Sequence, residues 1–199
     1  MIEDKWNESF DSEEFVYGTE ANTFIKEQAA RFKPNSKIAC LAEGEGRNAV
    51  YLAKLGHNVT AYDISKVGLQ KTQTLAETND VSVHTEHINL VDEDLPSASY
   101  DNAVLVFGHV HKNNQAKLIN NMIQTVKKDG LIMFEVYSTG QIQFDTGGPG
   151  KLDYLYDPQT IFDLIKPYQV LHFYYGEAER FEGSRHTGRC HVIQVIIKK

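Results

Sequence analysis

Apolar positions along the chain keep two alternating rhythms. Nearly continuous apolar runs at 37–42 and 101–107 read as strands buried on both faces, and β-rich runs at 58–62 and 131–136 read alike. Between them, apolar residues return at helical spacing: Ala49, Val50, Leu52, Ala53 and Leu55 before Gly56, and Leu118, Ile119, Met122, Ile123 and Val126 before Gly130. Ser65 is placed to cap a further helix reaching about Thr78, and 81–88 supply a third strand. Lys127 and Lys128 suit the negative end of the helix that Gly130 stops. Strands that alternate with helices pair in parallel, each crossover laying its helix over the sheet.

The flanks depart from this rhythm. Residues 1–36 scatter Trp6, Phe10, Phe15 and Tyr17 among acids and read as an N-terminal cover, within which Thr19 opens a helix running through Arg31 and ending before Pro34. The stretch 137–156 carries Gly140 and Gly147-Gly148-Pro149-Gly150 and is long for a connection, as a lid over a site would be. Asp157 and Pro158 then open a helix that ends by Pro167. Tyr168 to Glu177 and Cys190 to Ile197 are strands with no helix between them, only a polar loop rich in Arg and Gly, so they pair antiparallel. The pattern predicts a Rossmann-like, doubly wound α/β sheet of seven strands, mostly parallel, with a C-terminal antiparallel β-hairpin. It divides into the cover (1–36), a ligand-binding half (37–136), the lid (137–156), and a closing helix and hairpin (157–199).

Composition narrows the function. The 199 residues, 41% hydrophobic and 24% charged, suit one globular domain over 1–199. A net charge of −7 opposes binding to a nucleic-acid backbone. The start Met1-Ile2-Glu3-Asp4-Lys5-Trp6 has neither the basic residues nor the apolar run of a signal peptide, and no later run reaches spanning length, so a cytoplasmic protein without membrane contacts is expected. Cys40 and Cys190 lack metal or redox spacing and read as buried thiols.

In such a sheet the binding crevice opens at the carboxyl ends of the strands. After the first strand stands Glu43-Gly44-Glu45-Gly46, two glycines that permit a tight turn and close ligand approach, followed by a helix start with unpaired N–H groups. Asp63 ends the second strand, where an acid accepts hydrogen bonds from both hydroxyls of a ribose. The order strand, glycine turn, helix, strand, acid points to an adenosine-type ligand. Ala42 and Arg47 stand where a dinucleotide fingerprint expects glycine. Glu43 and Glu45 would repel a diphosphate yet tolerate an ammonium and a sulfonium, which favours S-adenosylmethionine over NAD. The alternative is that both acids point to solvent and complement the helix dipole.

Leu41-Ala42-Glu43-Gly44-Glu45-Gly46-Arg47-Asn48-Ala49 and Val59-Thr60-Ala61-Tyr62-Asp63-Ile64-Ser65 resemble the first two motifs of class I S-adenosylmethionine-dependent methyltransferases, especially the tellurite-resistance and thiopurine-type small-molecule group. Asn89-Leu90, Tyr100-Asp101, Lys128-Asp129-Gly130 and the terminal hairpin extend the resemblance over nearly the whole chain. Cys40 and Ala42 depart from it, where the family usually has an acid and a glycine. The resemblance implies S-adenosylmethionine as cofactor, S-adenosylhomocysteine as product, and a small-molecule methyl acceptor, in a monomer or homodimer. It implies that Asp63 takes the ribose hydroxyls, Ile64 packs on adenine, and Asn89 with Leu90 reads the adenine edge. Backbone at Glu43, Gly44 and Phe107 then lines the methionine portion, with Gly46, Arg47, Asn48 and Tyr17 completing the cofactor site.

Gly108-His109-Val110-His111 follows the fourth strand, where the family contacts the acceptor, so His109 is the candidate base; the alternative is a loop histidine bonded to backbone. No carboxylate or third histidine adjoins His109 and His111, so no metal is expected. His84 and His87 read as strand-edge surface residues. Glu135 and Tyr137 end the fifth strand beside the lid. Arg180, Arg185, His186 and Arg189 fall in the hairpin loop, either binding an anionic acceptor or simply solvated, and Trp6 could fold over the cofactor. The rival readings are an NAD-dependent oxidoreductase and a non-enzymatic S-adenosylmethionine-binding protein.

Overall fold

The apolar runs become interior strands because helices cover both of their faces. The computed structural model describes residues 2–183 and 185–199. Its strands are β1 (Lys37–Leu41), β2 (Asn58–Asp63), β3 (His84–His87), β4 (Tyr100–Val106), β5 (Val126–Tyr137), β6 (Gln169–Glu182) and β7 (His186–Lys198), joined in one sheet of order β3-β2-β1-β4-β5-β7-β6. β1 pairs in parallel with β2 and β4, β2 with β3, and β4 with β5, whereas β7 runs antiparallel to both β5 and β6. The helices are α1 (Ile2–Phe10), α2 (Thr23–Gln28), α3 (Arg47–Lys54), α4 (Lys66–Thr78), α5 (Lys112–Thr125) and α6 (Pro158–Ile165).

Period-two alternation sorts the core. Ala103 and Leu105 of β4 face one layer, with Leu118, Ile119 and Met122 of α5 and Ile161 and Ile165 of α6. Val104 and Val106 face the other, with Phe24 and Ile25 of α2, Val50 and Leu52 of α3, and Leu69 and Leu75 of α4. Burying each such side chain contributes roughly 1.5–3 kcal/mol. The sheet reverses direction between β1 and β4, and this switch point fixes the crevice at their carboxyl ends.

Several caps fall where the sequence places them. Ser65 Oγ accepts from Gly68 N at 3.0 Å at the start of α4, and Asp157 Oδ1 from Thr160 N at 2.8 Å ahead of Pro158. Other elements differ. Asn22, not Thr19, caps α2, its Oδ1 accepting from Ile25 N at 3.1 Å. The third strand shrinks to an exposed edge at His84–His87, where His84 and His87 lie as expected. The opening forms α1, a helix not expected above, with Ile2, Trp6 and Phe10 spaced four apart along one face and contacts to α4 holding it. Asn7 Oδ1 accepts from Ser65 Oγ at 2.8 Å and from Val67 N at 3.3 Å.

The hairpin is the largest departure. β6 and β7 run on to Glu182 and back from His186, so Arg180, His186 and Arg189 sit on strands and not in a loop, Arg189 alone of the three remaining solvated. Arg180 and His186 are buried, and their charge and polarity disguise them because partners inside the fold supply what solvent would. Between β5 and α6, short 3-10 turns at Thr139–Gln143 and Leu152–Tyr154 structure the glycine-bearing stretch, and a bridge from Ser138 to Tyr156 closes its base.

Candidate active site

The glycine turn is built from below by α4. Gly46, at φ +89°, precedes α3, and a Cβ there would lie 2.6 Å from the Thr72 side chain, so only glycine fits. Thr72 Oγ1 donates to Gly44 O at 2.9 Å and pins the turn to α4. Ala42 adopts φ +50°, the left-handed conformation of the glycine it replaces.

Both acids of the turn are taken up by the protein, and neither points to solvent. Glu43 Oε1 accepts from Ala49 N at 2.7 Å and caps the first turn of α3. Glu45 pairs with Lys71 at 2.6 Å, with its own side chain 2% exposed. The charge contrast read from the sequence is therefore largely internal. Burial raises the Glu43 pKa to about 7 against the hydrogen bond from Ala49.

Asp63 sits at the end of β2 with Oδ2 accepting from Gly44 N at 2.8 Å and Oδ1 from Ser65 N at 2.7 Å. Burial raises its pKa to about 6, the same backbone donors working the other way. Ile64 adjoins it, its carbonyl bonded to His87 Nε2 at 3.0 Å. Asn89 lies beyond β3 and closes its own turn, with Oδ1 accepting from Val91 N at 3.3 Å, while Leu90 is buried in the core. α1 crosses this end of the crevice, and the Phe10 ring lies 3.0 Å from where a Gly44 Cβ would stand.

Arg47 and Asn48 have their side chains committed elsewhere. Asn48 Oδ1 accepts from Asn22 N at 2.9 Å, and Arg47 pairs with Glu182 at 2.6 Å. That pair belongs to a buried network. Arg180 donates to both oxygens of Glu135, Gln194 Nε2 donates to Glu135 Oε2 at 2.6 Å, and Asn22 Nδ2 bridges Glu135 at 2.8 Å and Glu182 at 3.0 Å. Sequence reasoning missed Glu182, Asn22, Gln194 and Lys71. One signal existed: Glu135 interrupts an apolar strand, and a charge there needs a partner.

At the ends of β4, β5 and β7 stands an aromatic cluster. Phe107, at φ +53°, stacks on Tyr137 with centroids 4.3 Å apart and meets His186 edge-on at 4.6 Å. Tyr17 lies 4.5 Å from His186 and His109 lies 5.4 Å from Tyr137. His109 Nδ1 is 2.9 Å from the Tyr154 carbonyl. A carbonyl only accepts, so Nδ1 carries the proton and Nε2 a lone pair. Burial lowers the His109 pKa to about 4, so the ring is neutral near pH 7. His111 points away and accepts from Asn113 N at the start of α5. Among the described residues no group of three metal-ligating side chains gathers, and no helix is long and apolar enough to cross a membrane.

Two clefts lie beside these strand ends, not on them. One of about 310 Å³ runs between α3, α4 and residues 15–21, and another of about 640 Å³ between α1 and α4. The chemistry-bearing side chains lie instead beneath α1 and the Gly147-Gly148 stretch, so geometry and not cleft size locates the site.

Comparison with known proteins agrees with this geometry. Residues 38–130 match the family model described as a methyltransferase domain. An uncharacterized methyltransferase, YbaJ of Bacillus subtilis (strain 168), is 26% identical over 111 residues, a match spanning 55% of this chain and 44% of that protein. The structure of TehB from Haemophilus influenzae superposes with a TM-score of 0.76 at 16% identity, covering 99% of this chain and 66% of that one. A S-adenosylmethionine-dependent methyltransferase from Anabaena variabilis ATCC 29413 gives 0.72 at 15% identity, covering 99% and 93%. At such identities the structural likeness speaks for the fold, and the matched domain spans less than half of YbaJ. Residues 38–130 thus match a methyltransferase domain, and with its glycine turn, its acid at the end of β2 and its reversed last strand the chain has the Rossmann-like methyltransferase fold.

Proposed function

We propose that the chain transfers a methyl group from S-adenosylmethionine to a small-molecule acceptor and releases S-adenosylhomocysteine. The observation that carries this reading is Asp63, whose two oxygens each hold one backbone N–H beside the glycine turn and keep a second lone pair for a ribose hydroxyl. The residues fit the cofactor: the turn at Gly44 and Gly46 offers backbone without side chains, and Phe107 presents its backbone from the opposite strand end. Ile64 would flank adenine, with Asn89 at its edge and Leu90 supporting that turn from the core. Arg47 and Asn48 act as positioning residues that fix the start of α3, and Tyr17 and residues 137–156 enclose the methionine end.

S-adenosylmethionine supplies a methyl carbon already activated by its positive sulfur. The chain's own work is alignment and exclusion of water. His109 Nε2, neutral and buried, accepts the proton that the acceptor gives up as its new bond forms. Isothermal titration with S-adenosylhomocysteine and with NAD tests the reading. Binding of the thioether with none of NAD is expected, and the reverse would overturn it.

A further inference from the structure

We propose that Tyr137 and His186, facing the site beside His109, form the wall that receives the methyl acceptor, and that this wall selects an uncharged protic compound over an anionic one. The inference rests on the methyl-transfer reading above.

Among the described residues, Tyr137 Oη, His186 Nδ1 and His109 Nε2 are buried without a hydrogen-bond partner. Elsewhere this fold satisfies its buried polar groups with care: Asn121 alone serves Leu95 N, Leu90 O and Glu93 O. A buried polar atom left unpaired costs about 1–3 kcal/mol, so three in one place call for a ligand that supplies the missing partners. The atoms come from β5, β7 and the turn after β4, yet their rings are contiguous: His109 to Tyr137 is 5.4 Å and Tyr137 to His186 is 5.3 Å between centroids.

The covering stretch is shaped to this group. A Cβ on Gly147 would lie 2.8 Å from Tyr137 Oη and 3.0 Å from His186 Cδ2, and one on Gly148 would lie 2.9 Å from Tyr137 Cδ2. The chain therefore passes over the wall as bare backbone, and a side chain at 147 would collide with Tyr137 Oη and with the Arg185 carbonyl at 2.8 Å.

The charge of the surroundings sets the ligand class. Burial holds both His109 and His186 below the ordinary histidine range, so neither is cationic near neutral pH. Arg47 is paired with Glu182 and Arg180 with Glu135, which leaves neither guanidinium free to greet an anion. Arg185, exposed at the rim, spends its donors on Ser9 Oγ at 2.7 Å and on the Tyr17 hydroxyl. A carboxylate or oxyanion seated on the buried wall would lose its water while this nearest cation stays in solvent. A neutral molecule with an O–H or N–H can donate to His109 Nε2 and bond to Tyr137 Oη and His186 Nδ1, while its apolar face rests on Phe107 and Tyr17.

The test uses the full chain saturated with S-adenosylhomocysteine, into which matched probes are titrated by ligand-observed NMR: 4-methylphenol against 4-methylbenzoate, and indole against indole-3-carboxylate. The neutral member of each pair is expected to bind about tenfold more tightly or better, and Tyr137→Phe to weaken it by roughly tenfold, as the loss of one hydrogen bond predicts. Tyr137→Phe also removes an unpaired buried hydroxyl, so its melting temperature should hold or rise, an outcome that a structural hydrogen bond at Oη would reverse. Equal or tighter binding of the carboxylates, binding unchanged by Tyr137→Phe, a lowered melting temperature, or no probe binding at all would overturn the proposal. Calorimetry with S-adenosylhomocysteine alone reports separately on the methyl-transfer reading.

Discussion

Replacing Glu182 by alanine tests the buried charge network most directly. The change removes the partner of Arg47 at 2.6 Å and two further bonds to the same carboxylate, from Asn22 Nδ2 at 3.0 Å and Thr23 N at 3.3 Å. Arg47 has a side chain only 7% exposed, so its charge would stay desolvated and unpaired. Breaking one partner of a buried pair costs about 3–5 kcal/mol. At 2–4 °C per kcal/mol for a chain of this size, the melting temperature should fall by roughly 6–20 °C. Glu182→Gln keeps acceptors for Asn22 and Thr23 and should lose less. Glu182→Ala with Arg47→Met should recover a large part of the loss, because an apolar pair of similar volume can replace a buried ion pair at little cost. Calorimetric melts of the parent, Glu182→Ala, Arg47→Met and the double variant complete the cycle. A single-mutant cost below about 1 kcal/mol, or strict additivity in the double mutant, would refute the reasoning.

Asp63→Ala should weaken S-adenosylhomocysteine binding by roughly 1.5–3 kcal/mol in isothermal titration, and unchanged affinity would remove Asp63 from the ribose site. Glu43 has its folded pKa raised to about 7, so the native state holds a proton that the unfolded chain releases near its ordinary 4.5. Its stabilising share is complete below that ordinary value and is lost as pH rises through about 7. Glu43→Gln, which keeps an acceptor for Ala49 N, should therefore melt higher than the parent near pH 8 and no higher near pH 4; a parent curve as flat as the variant's would contradict this. His109, with its pKa lowered to about 4, should show no imidazole titration by NMR between about pH 5.5 and 8, and a midpoint near 6.5 would count against its burial.

The first five strands and their helices were legible because their signals are local. A buried parallel strand must be apolar throughout, a covering helix must carry a stripe, and Gly44, Gly46 and Asp63 follow in an order that few other chemistries require. Even the departure at Ala42 left the backbone unchanged, since its conformation is that of glycine. The rest depends on contacts between residues far apart in sequence. α1 announces itself by only three apolar residues, Ile2, Trp6 and Phe10, and Asn7 holds it by bonds to the start of α4. Arg180, Glu182 and His186 looked like solvated residues because composition cannot tell a charge facing water from one facing Glu135 or Arg47. The two acids of the turn misled for the same reason, as Lys71 and the amide of Ala49 answer them out of sight of any local pattern.

The meeting of the hairpin tip with the N-terminal segment bears on how the protein is made. Arg185 reaches Ser9 and Glu182 reaches Asn22 across nearly the full sequence, so these contacts cannot form on the ribosome until the last strands have emerged. The first five strands can assemble during synthesis, but the enclosure around the aromatic cluster must wait for β6 and β7. A nascent chain stalled before β6 would thus display a folded sheet with its aromatic cluster still uncovered.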